Sequence, residues 1–158
     1  MTAELGWSNQ QLYIASDDIP GFSRGKRFLD DHAVRLEISR RDQLAKKLSL
    51  NSFYQLRASF AQPEDRSRII NVIFLSLNYD ITPKLQLGLD YQFAAANFTQ
   101  QTRTDLYHQV LTRLTYTTFR NAQLSVYGGF SSGSSTASGI NFDGFLLGVG
   151  LSVNLTLF

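Results

Sequence analysis

The sequence predicts an all-β fold, an eight-stranded antiparallel up-and-down transmembrane β-barrel that forms a single domain over residues 1–158. Three observations lead there. Apolar residues recur in steps of two along stretches as long as the about 9–11 residues a tilted strand needs to cross a bilayer, against about 5–6 in soluble sheets. Charged side chains collect on one of the two faces that this alternation creates. The connections between the stretches alternate long and short, as membrane barrels require.

Composition agrees with that reading and removes others. Aromatic residues make up 13% of the chain, with a single Trp beside 12 Phe and 7 Tyr. Strands and membrane interfaces both favour these types. Cysteine is absent, which leaves no disulfide framework and no thiolate metal site. A net charge of +2 lacks the basic face expected of a nucleic-acid binder. No run of about 18 apolar residues is available for a helical span, and the most apolar segment, Ile69 to Leu77, is interrupted by Asn71 and Ser76. Met1-Thr2-Ala3-Glu4 has neither the basic start nor the apolar core of an export signal. The expectation is that a signal or an upstream domain has been removed.

Taken in order, the first strand lies within Thr2 to Ala15, where Ala3, Leu5 and Trp7 share one phase and Leu12 and Ile14 the other. This predicts a bulge or a shorter strand. A long charged loop broken by Pro20-Gly21 runs from Ser16 to Asp31. From His32, Val34, Leu36 and Ile38 alternate with Arg35, Glu37 and Ser39, and a basic connection follows around Arg40-Arg41-Asp42 and Lys46-Lys47. The third strand sets Leu50, Ser52, Tyr54, Leu56, Ala58 and Phe60 against Asn51, Phe53, Gln55, Arg57 and Ser59, and ends at Gln62-Pro63-Glu64-Asp65-Arg66. The fourth sets Ile73, Leu75, Leu77, Tyr79 and Ile81 against Val72, Phe74, Ser76, Asn78 and Asp80, before a tight link at Thr82-Pro83-Lys84.

The fifth strand is the most regular, with Leu85, Leu87, Leu89, Tyr91, Phe93 and Ala95 opposed to Gln86, Gly88, Asp90, Gln92 and Ala94. After a polar loop over Asn97 to Asp105, the sixth carries Val110, Thr112, Leu114 and Tyr116 against Gln109, Leu111, Arg113, Thr115 and Thr117. A short turn at Phe119-Arg120-Asn121 leads to the seventh, with Leu124, Val126, Gly128 and Phe130, and then to a Ser/Gly-rich loop over Ser131 to Gly144. The last strand, from Phe145, keeps Leu147, Val149, Leu151, Val153, Leu155 and Leu157 in one phase and ends on Phe158.

The oily sets of strands two to eight contain no Asp, Glu, Lys or Arg, while the opposite faces hold Arg35, Glu37, Arg57, Asp80, Asp90 and Arg113. Eight strands enclose an interior just wide enough for side chains. Seven oily faces are too bulky for it, so they are expected to turn outward into lipid, with the charged set packed inside as a paired polar network. A closed sheet also leaves no unsatisfied edge in the bilayer. Phe60, Phe93, Tyr107, Phe130 and Phe145 near the long-loop ends, with Tyr79, Tyr116 and Trp7 near the turn ends, are expected to form interfacial girdles.

The final strand with its terminal Phe158 resembles the assembly signal of bacterial outer-membrane β-barrels, and the whole chain resembles the small eight-stranded members of that class. In that class the terminal aromatic commonly shares the outward phase, whereas Phe158 is out of phase with Leu155 and Leu157. The resemblance implies a bacterial outer-membrane location, with long loops extracellular and both termini periplasmic. The implied partners are the lipid bilayer and the outer-membrane assembly machinery, with lipopolysaccharide as a further candidate. It implies no cofactor, metal or nucleic acid, and it transfers no activity.

Some small barrels of this class act on lipid A through a His near a Ser. Here His32 is followed by Ala33-Val34 and His108 by Gln109-Val110, so the His-x-Ser motif of the deacylases is absent and no catalytic residue is assigned. Arg24, Lys26 and Arg27 suit lipopolysaccharide phosphates, but Asp17, Asp18, Asp30 and Asp31 beside them suit an ordinary solvated loop. The expected function is therefore non-enzymatic, a membrane anchor or surface-contact module whose interior is filled by the polar network. A channel, or the terminal part of a larger translocation pore, is the alternative, followed by a lipid-modifying enzyme. The oligomeric state is left open.

Overall fold

The computed structural model describes residues 1–13, 25–119, 122–137 and 139–153. They form the strands β1 (Thr2–Tyr13), β2 (Arg27–Ala45), β3 (Leu48–Gln62), β4 (Arg68–Thr82), β5 (Leu85–Phe98), β6 (Thr104–Phe119), β7 (Ala122–Ser135) and β8 (Asn141–Val153), with a 3-10 turn at Glu64–Arg66. Each strand pairs antiparallel with its neighbours in sequence, giving one eight-stranded up-and-down sheet. Strand lengths run from 12 residues in β1 to 19 in β2. Among the described residues β1 pairs with β2 alone and β8 with β7 alone, so the ladder has two free edges. No helix is long and apolar enough to cross a membrane, which is a statement about helices only.

The register carries the two-residue alternation intact across the sheet. Leu5, Leu36 and Leu56 stand opposite one another, as do Tyr79, Leu87 and Leu114 farther along. A slip of one residue anywhere would carry a strand's apolar set to the other face. The two faces differ in shelter in the sense opposite to a soluble protein. Leu89 and Val110, central on the apolar face, are 47% and 45% exposed, whereas Ser76 and Asn78 on the polar face are 4% and 6% exposed. A flat sheet would expose both faces alike, so the sheet curls around its polar side. Edge residues lack a neighbour and are barer still, with Leu5 at 79% and Leu147 at 75%.

Small residues let bulky polar-face groups lie flat. Tyr127 stands opposite Gly148, where an added Cβ would run into the phenol ring. At Gly129 the obstacle would be the backbone of Val110 and Leu111 in β6, which cannot swing aside. Glycine is needed there for the close approach of two strands.

Several strands extend beyond their predicted limits. Arg27 to Asp31 belong to β2, because Leu29 to Asp31 pair with Gln10 to Leu12 on one side and Asp30 and Asp31 with Ala61 and Gln62 on the other. Arg40 to Asp42 are ladder residues too, and the turn is confined to residues 46–47. The Ser/Gly-rich segment is half strand, with Ser131 to Ser134 pairing to Asn141 to Gly144. Backbone pairing with a neighbour outweighed weak local propensity at these points. In β1 the predicted phase break is not a mid-strand bulge: register is continuous to Leu12, which faces the polar side opposite Leu29, and shifts only at Tyr13. Ile14, the Pro20-Gly21 loop with Arg24, the Arg120-Asn121 turn and Leu155 to Phe158 lie outside the described residues.

Candidate functional site

The polar face is the part of the molecule with chemistry to offer. Its charges are arranged in local cells. Arg57 Nη2 donates to Asp31 Oδ2 at 2.7 Å, and Ser59 Oγ donates to Asp31 Oδ1 at 2.5 Å. Arg35 Nε lies 3.2 Å from Glu37 Oε1, which also accepts from Gln55 Nε2 at 2.5 Å. Arg113 Nε lies 3.3 Å from Asp90 Oδ2, while Ser76 Oγ donates to Asp90 Oδ1 at 2.6 Å and Asn78 Oδ1 accepts from Arg113 Nη2 at 3.4 Å. Asp80 accepts from Gln86 Nε2 at 2.8 Å.

These cells resolve a conflict built into the register. Arg35 stands directly opposite Arg57, and Glu4 opposite Glu37, pairings that repel. Each arginine instead turns to a carboxylate on its own or the adjoining strand. All six predicted polar-face residues therefore share one face, but the structure groups them as separate pairs. The partner Asp31 was missed because its Asp-Asp run read as loop. Ser59, Ser76 and Asn78 carry no charge to draw attention to them.

The predicted aromatics divide. Phe60, Tyr79, Phe93, Tyr116, Phe130 and Phe145 are in phase with the apolar face, with Phe60 at 63% and Phe145 at 74% exposure. Tyr107 is not. Its strand position pairs with Ala94 and Gly133 on the polar side, and its ring lies 6.2 Å from that of Phe142. Trp7 sits in mid-strand with its ring 6.1 Å from His32. His32 is held by Asn9 at 3.0 Å and by Asp30 at 3.4 Å, and His108 by the Tyr91 hydroxyl at 3.1 Å beside the Phe93 ring. Among the described residues neither histidine is hydrogen bonded to a serine. Arg27 is engaged with Asp30 at 2.6 Å, and no cluster of potential metal ligands occurs among the described residues.

At the loop end of the polar face lies a second group that sequence reasoning missed. Arg103 makes a bidentate pair with Asp105, at 2.8 Å from Nε and 2.7 Å from Nη2, and Ser135 Oγ donates to the same carboxylate. Hydrogen bonding to Asp105 raises the Arg103 pKa above its ordinary value. The guanidiniums of Arg103 and Arg68 lie 4.6 Å and 5.7 Å from the centre of the Phe98 ring. No protein family, curated protein or solved structure matches the chain. The arrangement of the two faces therefore carries the functional argument by itself.

Proposed function

We propose that this sheet is part of the wall of a bacterial outer-membrane β-barrel and that its polar face lines an aqueous channel or translocation pore. The observation that carries the reading is the inverted sidedness: the exposed face carries no charged residue through the middle of its strands, while ion pairs occupy the sheltered face. Water would penalise so large an apolar surface, and lipid would accept it. The strands are long enough for a bilayer, and paired side chains suit a wet interior.

A pore is favoured over a sealed anchor by the local reach of the polar side chains. Among the described residues their ion pairs stay on one strand or join adjacent ones, and the longest reach, from Arg113 to Asn78, spans β6 to β4. A sealed eight-stranded barrel needs contacts across its centre. The two free edges fit a wall completed by strands other than these eight.

Planar-bilayer recording of the purified protein tests the proposal. Stepwise conductance, with a compact gel band that shifts on boiling, is expected. A heat-modifiable band with no current would return the chain to the anchor reading, and absence of that band would remove the barrel.

A further inference from the structure

The loop-end group around Phe98 borders a cavity of about 300 Å³ lined by Asp65, Arg66, Arg68, Phe98, Gln101 and Arg103. Its walls are braced. Gln101 Nε2 donates to the Asp65 carbonyl at 3.1 Å, the Thr99 amide to the Ser67 carbonyl at 2.9 Å, and the Phe98 amide to the Arg103 carbonyl at 3.0 Å. These bonds tie the turn after β3 to the loop after β5, so the cations are held by structure rather than by flexible loops.

We propose that this cavity binds the phosphate group of a soluble, hydroxyl-bearing phosphomonoester. Arg66 and Arg68 have no ion-pair partner among the described residues. Arg103 spends Nε and Nη2 on Asp105, which leaves its other terminal nitrogen to donate. Guanidiniums held against an aromatic ring keep their in-plane N–H donors at the edge, where they match phosphate oxygens. Asp65 also lines the cavity, and a carboxylate there would accept hydroxyls and favour a polyol ester over bare phosphate. Arg68 stands opposite Phe98 in the phase of Asp90 and Arg113. The site thus opens on the polar side, away from the surface that would meet lipid headgroups. Placing it at a pore mouth rests on the proposed function, whereas the cavity itself does not.

Calorimetric titration in detergent micelles at low salt, with glucose 6-phosphate, inorganic phosphate and glucose, tests the inference without requiring current. Glucose 6-phosphate should bind more tightly than inorganic phosphate, and glucose should not bind. Arg68→Ala should weaken glucose 6-phosphate binding about tenfold or more, the loss expected for a charge-assisted contact. Arg66→Ala, in the exposed turn, repeats the test without touching a strand, and Phe98→Leu should weaken binding severalfold at unchanged charge. Arg40→Ala, on the opposite face, should bind as wild type. Equal affinity in all variants, absence of binding, or no preference over inorganic phosphate would overturn the proposal. So would binding seen only with phosphate displayed on lipid A vesicles.

Discussion

At the scale of the residue, the polar face depends on whether each charge keeps its partner. Asp31 is 6% exposed and serves both Arg57 and Ser59, while Arg57 Nε is already buried without a partner. Asp31→Ala would strand the guanidinium and should cost about 2–3 kcal/mol, below the full figure for a broken buried pair because Arg57 keeps some exposure. Asp42→Ala removes the exposed Arg40–Asp42 pair, 2.7 Å apart, and should cost about 0–1 kcal/mol. Denaturant unfolding in micelles compares the two, and equal losses would mean that the polar-face pairs do not hold the sheet. Half of this cell was legible in the sequence. Arg57 stood out as a charge in an alternating strand, but Asp31 lay in an Asp-Asp run that read as loop and Arg103 in the polar loop over Asn97 to Asp105; ladder pairing brings Asp31 onto the face, and hydrogen bonds to Asp105 hold Arg103 beside it.

At the scale of the element, the alternation of a single strand sets what it can face. In β5, Leu89 belongs to the apolar face and Gln92 to the polar one. Leu89→Arg should cost about 2–4 kcal/mol in a bilayer if that position lies near the midplane, and Gln92→Arg should cost less. Reversible unfolding in lipid vesicles measures both, and equal costs would contradict the assignment of faces. The phases of β2 to β8 were readable in advance because they depend on local alternation alone. The ends were not, since Arg27 to Asp31 and Ser131 to Ser134 become strand only through neighbours distant in sequence. Tyr107 shows the same limit from the other side: being aromatic near a loop suggested a girdle, but its odd-numbered place in β6 puts it with Gln109 and Arg113.

At the scale of the whole molecule, the open question of shape reduces to the two edges. If β1 and β8 were laid together along their lengths with apolar faces in phase, Leu5 would stand opposite Val149. The pore reading predicts that the double variant Leu5→Cys, Val149→Cys forms no disulfide within a single chain under mild oxidation in bilayers. Efficient intrachain linkage, read as a faster non-reducing gel band, would instead favour a sealed eight-stranded wall. The order of strands and their number followed from the sequence; the expected closure into a barrel rested on bulk and lipid arguments instead, because alternation fixes only which neighbours pair.

If the chain is bound for a bilayer, as proposed, those edges bear on its life before it arrives. Among the described residues β1 and β8 each present a row of amides and carbonyls with no partner strand, along strips whose only charged side chains are Glu4 and Asp143, and such a row is a template for any strand that drifts past. Every strand pairs with its neighbour in sequence, a local arrangement that favours early hairpins, so the template would be complete early. In water such a strip would seed polymerisation, so under the membrane reading solubility is a matter of time: the chain stays usable only while the strip is covered or insertion outpaces collision.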